Sequence, residues 1–343
     1  MLRRPRLGRT AWLAFAVVVL LAVSVLLGSY TVTVPDFLRI VTAQLTGGKR
    51  IPGASFIVLE TKLPRAVLGA MIGVAFGLSG ALFQRMLRNP LASPDIIGIS
   101  SGASAAAVTA ITAFGASGAA VSGAALAGAL GVAALIYAIS RGRPGGANPS
   151  RGAGNRLILA GIGIAAALGA VVNFLLTRAD IRTAAEALVW LNGSLNPASW
   201  DRAGVLGAAL LVLVPGVAAL AGPLRILELG DDAAAALGVR VGLTRLAVVM
   251  TAVALAAVAT AAAGPVAFVA FLAGPIARRF TGGPSLPASA LLGALIVLAA
   301  DYFASNVAPL LLAGTVLPVG VVTGALGAPF LLWLLVTANR KDA

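Results

Sequence analysis

Nine apolar runs, each close to the length that crosses a lipid bilayer, recur along this chain of 343 residues. A membrane-spanning helix needs about 20 predominantly apolar residues, because the hydrocarbon core is about 30 Å thick. In lipid each backbone N–H and C=O must find its partner inside the protein, so such runs fold as helices. The runs are residues 11–29, 63–84, 95–114, 117–139, 156–177, 202–222, 244–264, 286–304 and 318–336. The sequence therefore predicts an all-α polytopic membrane protein with a single transmembrane domain over residues 1–343.

A tenth and shorter segment is predicted at residues 267–277, which is followed by Arg278 and Arg279. With ten spans and the basic N-terminus inside the cell, 17 of the 25 Lys and Arg residues face the cytoplasm and eight do not. Basic residues accumulate on the cytoplasmic side of membrane proteins. We therefore expect about ten transmembrane helices and cytoplasmic tails at residues 1–10 and 337–343.

Composition excludes several functions. The chain has no Cys and no His, which removes disulfides, thiol chemistry and imidazole metal ligands, and we predict neither a catalytic site nor a metal site. The net charge of +14 lies in short clusters between apolar runs, a pattern that sets topology and does not indicate nucleic-acid binding. A phosphate-binding loop needs a lysine followed by Ser or Thr, and Lys49, Lys62 and Lys341 all lack it. Any ATP must therefore be hydrolysed by another subunit.

The turn between the runs at 63–84 and 95–114 is basic and carries two prolines. We call residues 85–94 the elbow. Its residues Asn89, Pro90 and Leu91 give up helical hydrogen bonds close to lipid, and non-helical backbone at that depth is tolerated only where protein or a water-filled cavity covers it. We therefore expect the elbow to line a path through the protein.

Two sets of glycines recur at a spacing of four. Gly69, Gly73 and Gly77 lie on one face of a helix, and Gly320 and Gly324 share a face of the last run. Small residues let neighbouring helices approach closely, so helix packing is the expected role. An all-small face can also border a cavity wide enough for a bulky solute, and the sequence leaves that alternative open.

The predicted cytoplasmic loop at residues 223–243 contains a short helix outside the bilayer. Gly230, Asp231 and Asp232 are suited to its start and Gly238 to its end, because acids are favoured in the first turn and glycine after the last. The helix is predicted over residues 233–237. Such a helix can dock into a groove on a cytoplasmic partner, or it can be an ordinary loop helix, and physics alone does not choose.

Polar groups inside the apolar runs are few. Each charge at a helix centre costs about 2.5 to 3.5 kcal/mol, yet Asp301 is an acid within a run, and Asn173 is predicted to be a buried amide. We expect Asp301 to pair with a neighbouring helix. The scarcity of such groups argues against a secondary transporter driven by an ion gradient, which is an alternative function, and no convergent nucleophile, base or metal set supports an intramembrane enzyme.

Nine ordered blocks of sequence carry a resemblance to a known family. The chain resembles the FecCD-like permease subunits of iron-siderophore and vitamin B12 ABC importers, which are of type II. The blocks are LPR at 63–65, SGALFQ at 79–84, RNPLASPDIIGISSGA at 88–103, LILAGIGI at 157–164, WLNGSL at 190–195, LGDDAAAALGV at 229–239, AGPVAFVAFLAGPIARR at 263–279, LAAD at 298–301 and LPVGVVTGALGAPF at 317–330.

The resemblance implies a role for particular residues. Asn89 and Leu91, with Pro90 between them, match a cytoplasmic gate of the translocation path. The short helix matches the coupling helix that rests on the ATPase, and Lys62, beside Arg65, matches a basic position that docks the substrate-binding protein. The residues implied for the coupling helix are Gly230, Asp231, Asp232, Ala235 and Gly238.

The resemblance also implies partners and a substrate. The partners are a second permease, as a paralogue more often than an identical copy, two copies of a cytoplasmic ABC ATPase that uses ATP and Mg, and an extracytoplasmic binding protein. The chain itself is implied to bind no cofactor. It looks most similar to permeases for ferric siderophores such as enterobactin, with vitamin B12 or haem as alternatives, in the bacterial inner membrane. It departs from the family pattern at Gly274-Pro275-Ile276 and at Val316.

Overall fold

The computed structural model describes residues 5–28, 30–47, 51–95, 98–140 and 149–339. Helices form almost all of this part of the chain, and no strand occurs in it. The helices are α1 Pro5–Leu26, α2 Val34–Thr46, α3 Ala54–Phe56, α4 Leu63–Met86, α5 Ile99–Phe114, α6 Ala119–Ser140, α7 Pro149–Arg178, α8 Ile181–Leu191, α9 Trp200–Leu227, α10 Asp231–Ala236, α11 Val241–Ala263, α12 Val269–Thr281, α13 Leu286–Tyr302, α14 Ala308–Leu311 and α15 Val319–Asn339. Two π-helical turns, Ile57–Lys62 and Phe303–Val307, lead into α4 and out of α13.

Seven helices of the described residues are long and apolar enough to cross a membrane. Two further apolar helices, Ile99–Phe114 and Val319–Trp333, are shorter, and the predicted tenth segment is α12, with 13 residues. The all-helical membrane fold is thus confirmed, whereas the count of ten spans stays a prediction. The tails 1–10 and 337–343 lie partly outside the described residues.

Helix α4 is the centre of the bundle. Seventeen of its 24 residues are buried, and it packs against α9, α11, α12 and α13. Apolar and small residues occupy all of its faces, as expected for a helix that other helices surround. We call the end of the bundle that holds Met86 the elbow end, and the opposite end, which holds Leu63, the far end.

The predicted glycine face of α4 is a packing face. A Cβ added at Gly73 would lie 2.3 Å from the carbonyl oxygen of Gly293, and one at Gly77 would lie 2.3 Å from that of Ser289. The backbones of α4 and α13 therefore touch, which small residues allow. In the last helix Gly320 is similarly tight, with a Cβ only 1.9 Å from the Asn192 oxygen, whereas Gly324 faces open space.

Several predicted boundaries were wrong. Helix α5 begins at Ile99, not at residue 95, because Gly98 takes a left-handed conformation (φ +83°) that ends the turn before it. The loop expected at 223–243 is shorter, since α9 continues through Pro223 to Leu227 and α11 begins at Val241. The amphipathic helix α2, capped by the Thr33 side chain, was not predicted.

Candidate functional site

The elbow is an ordered structure of consecutive turns. Arg88 adopts a left-handed conformation (φ +51°), its N–H bonds the Arg85 carbonyl at 3.3 Å, and the N–H of Asn89 bonds the Gln84 carbonyl at 3.0 Å. This pair of bonds is the Schellman arrangement that closes a helix C-terminus. The left-handed region is costly for a residue with a Cβ, so the arginine at this position is held there by its surroundings.

Asn89 continues the elbow with its side chain. Its Oδ1 accepts a hydrogen bond from the N–H of Leu91 at 2.9 Å, and its carbonyl accepts one from the N–H of Ala92 at 3.1 Å. Asn89 and Pro90 are exposed, and Leu91 is half-buried. The lost helical hydrogen bonds are thus replaced within the elbow itself, and the tip of the elbow lies on the surface of the subunit.

A proline inside α12 is matched by a side chain from α4. Pro275 has no N–H, so the carbonyl of Phe271, four residues earlier, loses its helical donor. Gln84 Nε2 donates to that carbonyl at 3.1 Å. A Cβ on Gly274 would lie 1.8 Å from Gln84 Oε1, so the glycine gives the amide its space. Gln84 therefore satisfies the carbonyl that Pro275 leaves without a helical donor.

A cavity of about 380 Å³ opens beside these residues at the elbow end. It lies between the last turns of α4, α9 and α12 and the first turn of α13. Three guanidinium groups and one carboxylate line it, together with two hydroxyl groups at the start of α13. The charged lining residues are Arg85, Arg88, Glu228 and Arg278, and the hydroxyls are those of Ser285 and Ser289.

Arg85 and Glu228 form an ion pair along the wall of this cavity. Arg85 Nε lies 2.6 Å from Glu228 Oε1, and the two side chains are 13% and 25% exposed. Arg85 is in the last turn of α4, and Glu228 is the C-cap residue directly after α9. The pair therefore joins the start of the elbow to the loop that leads into α10.

The short helix α10 covers Asp231–Ala236, so it begins two residues and ends one residue earlier than predicted. Gly230 precedes it with φ +114°, and Gly238 follows in a left-handed conformation (φ +81°). The N–H of Val239 bonds the Ala234 carbonyl at 2.9 Å, and that of Gly238 bonds the Ala235 carbonyl at 3.0 Å, so the helix closes with the glycine turn expected from the sequence.

One face of α10 is anchored and the other is free. Asp231 pairs with Arg245 of α11 at 2.9 Å, and Ala234 is buried. Asp232 and Ala235 are exposed, as are Leu229 and Leu237, at 65% and 61%. Leu229 and Leu237 thus flank Asp232 on an exposed surface at the elbow end of the bundle. Exposed apolar side chains of this kind mark surfaces that bind a protein partner.

At the far end the predicted docking residues have partners within the chain. Arg65 binds both carboxylate oxygens of Asp301, at 2.9 and 2.8 Å, and also contacts Asn196 Oδ1 at 3.0 Å and Ser305 Oγ at 2.7 Å. The expectation that Asp301 pairs with a neighbouring helix is confirmed. Lys62 Nζ donates to the carbonyls of Val25 and Leu27, at 3.2 and 2.9 Å, and to that of Tyr30.

The prediction that Asn173 is buried was wrong for this chain. Asn173 is exposed, as are Leu159, Ile162 and Phe174 of the same helix, whereas its neighbour Val172 is buried. Helix α7 packs against α5 and α6 with one face only. Successive residues of a helix point about 100° apart, so Asn173 falls on the uncovered side.

The roles of Gln84, Arg85 and Glu228 were not predicted from the sequence. One signal was available, because Pro275 within an apolar run frees a carbonyl that some side chain must satisfy in lipid. Which side chain does so depends on residues 187 positions apart along the chain. Glu228 at the end of a helix is a second signal, since the helix dipole disfavours an acid there.

Comparison with known proteins agrees with this architecture. The chain matches the FecCD transport family over residues 16–337. It is 39% identical over 289 residues to the ferric enterobactin transport system permease protein FepG of Escherichia coli, covering 84% of each chain. It is also 39% identical over 289 residues to the achromobactin transport system permease protein CbrC of Dickeya dadantii, covering 83% of this chain and 80% of that protein.

A third relative is named for a different substrate. The cobalamin import system permease protein BtuC of Halobacterium salinarum is 39% identical over 289 residues, covering 82% of this chain and 74% of that protein. Among solved structures, an inward-facing conformation of a metal-chelate type ABC transporter superposes with a TM-score of 0.80 over 96% of this chain and 98% of that one, at 24% identity. That likeness shows the shared fold.

Proposed function

The chain belongs to the FecCD transport family, and we propose that it is the membrane-spanning permease subunit of an ABC importer that carries a ferric siderophore. Relatives named for enterobactin and achromobactin transport support this substrate class. Relatives named for cobalamin and hemin transport make vitamin B12 and haem the alternatives. The transport subunit would work without a nucleotide site of its own, with ATP and Mg used by a partner ATPase.

The observation that carries the proposal is the exposed, anchored helix α10. It is joined to α11 through the Asp231–Arg245 pair. Asp232 and Ala235 on its other face, and Leu237 directly after the helix, are exposed in the described chain. A docking helix must be fixed to its own subunit and open to its partner, because only then does a movement of the partner displace the membrane helices. We assign α10 as the coupling helix that binds the ATPase.

The elbow supplies the proposed gate. Asn89, Pro90 and Leu91 form its tip, at the same end of the bundle as α10. If α10 is in the cytoplasm, the elbow end is the cytoplasmic end, and we propose that both chain termini are cytoplasmic too. The gate would then close the cytoplasmic opening of a path between this subunit and a second permease. ATP binding must favour one of the inward-open and outward-open states over the other, since a partner with equal affinity for both shifts nothing.

Docking of the binding protein through Lys62 and Arg65 stays a prediction. Both cations lie at the far end, which this orientation places outside the membrane. Each already has partners within the chain: Arg65 holds Asp301, and Lys62 holds the carbonyls at the end of α1. A salt bridge to another protein would compete with those contacts, so we expect these two residues to contribute little to the affinity for the binding protein.

Reconstitution tests the proposal. The chain would be purified with the second permease and the ATPase, placed in proteoliposomes, and supplied with binding protein loaded with an iron-55 catecholate chelate. We expect uptake that requires ATP, stops when the catalytic glutamate of the ATPase is replaced, and survives collapse of the proton gradient. Uptake that persists with the inactive ATPase and disappears with the gradient would instead identify a secondary transporter. Uptake of labelled cobalamin or haem, with no uptake of the iron chelate, would show a different substrate for the same class of ABC importer.

A further inference from the structure

The Arg85–Glu228 ion pair stands where the two proposed working parts of the subunit meet. Arg85 is the last charged residue of α4 and the first residue of the elbow, and its carbonyl accepts the N–H of Arg88. Glu228 is followed by Leu229 and Gly230, whose N–H groups bond the carbonyls of Ile226 and Leu227 at 3.0 and 3.2 Å. These turns connect the end of α9 directly to the start of α10, so the pair joins the first residue of the elbow to the segment that leads into α10.

The position of Glu228 is unfavourable without Arg85. A carboxylate at the C-terminal end of a helix faces the negative end of the helix dipole, whereas an arginine in the last turn is favoured. Glu228 is the C-cap residue of α9, and Arg85 is in the last turn of α4. Since Glu228 is only 25% exposed, water screens it incompletely, and the guanidinium at 2.6 Å supplies the compensating charge.

The surroundings of the pair leave it room to move. The cavity of about 380 Å³ borders both side chains, and its opposite wall is formed by α12 and the start of α13. On the other side of α10, the Asp231–Arg245 pair fixes the helix to α11. An ion pair next to open space can follow a displacement of one helix end without clashing, which a close-packed apolar contact cannot do.

We infer that the Arg85–Glu228 pair transmits displacement of α10 to the elbow, and so makes opening of the gate depend on the ATPase. The inference rests on the function proposed above. Arg85 and Glu228 are positioning residues: neither needs to touch the transported chelate or the nucleotide. The pair acts because the ends of α4 and α9 must move together while it is intact and can move separately when it is broken.

Charge reversal and charge exchange test the inference in the reconstituted transporter. The variants are Arg85→Glu, Glu228→Arg and the exchanged double variant, and the readout is the number of chelate molecules imported per ATP hydrolysed. We expect each single reversal to retain assembly and ATP hydrolysis and to lower that ratio by about fivefold or more, the usual scale of coupling between two sites. The exchanged variant should recover to within about twofold of the wild type, because it restores the attraction.

A control variant separates the pair from the general charge of this surface. Arg225→Glu reverses an exposed arginine in the last turn of α9 for which no ion pair is found in the described residues. We expect its transport ratio to match the wild type. An equal loss in Arg225→Glu, an unchanged ratio in both single reversals, or an assembled double variant that does not recover would each overturn the inference.

Two further measurements keep the outcome decisive. If a single reversal fails to assemble, Arg85→Gln and Glu228→Gln remove the charge without creating a repulsive contact, and the same drop in the ratio is expected. Because the chain contains no cysteine, cysteines at positions 85 and 228 can be joined by a short thiol cross-linker, which should raise the ratio above that of the unlinked pair. A wild-type transporter without ATP-dependent uptake would defeat the proposed function itself, before any variant is compared.

Discussion

Gln84 of α4 donates a hydrogen bond of 3.1 Å to the carbonyl of Phe271, the group that Pro275 leaves without its helical donor. Two helices are thereby joined at a point where one of them is chemically incomplete. The neighbouring Gly274 leaves space for the amide, so three residues on two helices form one local arrangement.

Replacing Gln84 tests this arrangement. Gln84→Leu keeps a side chain of similar length but leaves the Phe271 carbonyl unsatisfied, and we expect a loss of about 1–3 kcal/mol in the free energy of unfolding. Pro275→Ala restores the missing N–H, so it should recover about 1 kcal/mol in the Gln84→Leu background and less in the wild type. Unfolding in detergent by chemical titration measures all four proteins. If the changes in the free energy of unfolding caused by Gln84→Leu and Pro275→Ala simply add in the double variant, the two residues do not interact and the arrangement is wrong.

The Arg65–Asp301 pair predicts a larger effect at the far end. Asp301→Ala leaves Arg65, which is 23% exposed in its side chain, without its carboxylate, and we expect a loss of about 3 kcal/mol. Glu186→Ala removes the acid of an exposed pair at 3.5 Å and should cost about 0.5 kcal/mol or less. Thermal unfolding in detergent compares the two variants, and similar losses would show that the Arg65–Asp301 pair contributes no more to stability than an exposed pair does.

Backbone contact between α4 and α13 predicts intolerance of one added methyl group. Gly73→Ala would place a Cβ 2.3 Å from the Gly293 oxygen, so the helices must separate, at a cost of about 1–3 kcal/mol. Gly204→Ala on α9 meets nothing within 4 Å and should be neutral or stabilising by up to about 1 kcal/mol. The melting temperatures should shift in opposite directions or by clearly different amounts, and a stable Gly73→Ala variant would rule out direct contact.

The proposed coupling role of α10 predicts a docking defect in a chain whose membrane helices still fold. Replacing Asp231 and Asp232 with Lys, which also breaks the Asp231–Arg245 pair, should abolish uptake and weaken binding of the ATPase while the chain still inserts in the membrane. Asp232→Lys alone, which spares the Asp231–Arg245 pair, should weaken ATPase binding about fivefold, corresponding to about 1 kcal/mol. Co-purification measures binding, and normal uptake by the double variant would remove the coupling assignment.

The elbow tip predicts a leak. Leu91→Ala removes a half-buried apolar side chain from the proposed gate, so ATP hydrolysis in the absence of chelate, or passive leakage from loaded liposomes, should rise. Asn89→Ala, which loses the bond to the Leu91 N–H, should act in the same direction. Leu45→Ala on the exposed helix α2 serves as the control. If the Leu91→Ala transporter shows no increase in leakage or in ATP hydrolysis without chelate, the elbow tip is not the gate.

Local features of the fold could be predicted from the sequence because they depend on neighbouring residues. Each of the nine apolar runs overlaps an observed helix, although α7 begins at Pro149, seven residues before the predicted run. Gly230 and Gly238 delimit α10 because capping depends on adjacent residues. The spacing of Gly73 and Gly77 identified the packing face of α4, although it did not name α13 as the partner.

Contacts between distant residues could not be predicted in the same way. Arg85 and Glu228 are 143 positions apart, and Arg65 and Asp301 are 236 apart. Their pairing follows from which helices are neighbours, which is a property of the whole bundle. The prediction that Asn173 is buried was wrong for a related reason. Hydropathy shows that a helix lies in the membrane, but it does not show which of its faces another helix covers.

Helix α10 has a consequence for inhibitor design. A helix of six residues does not hold its shape in water, because forming the first turn costs more than so few hydrogen bonds return. Its shape is imposed by the Gly238 turn and by the Asp231–Arg245 pair to α11. If α10 is the coupling helix, as proposed, its docking surface is a property of the folded bundle and not of the hexapeptide DDAAAA. A linear copy of this segment would then compete poorly for the proposed ATPase partner, whereas a cyclic peptide that reproduces the glycine turn would present the helix already formed.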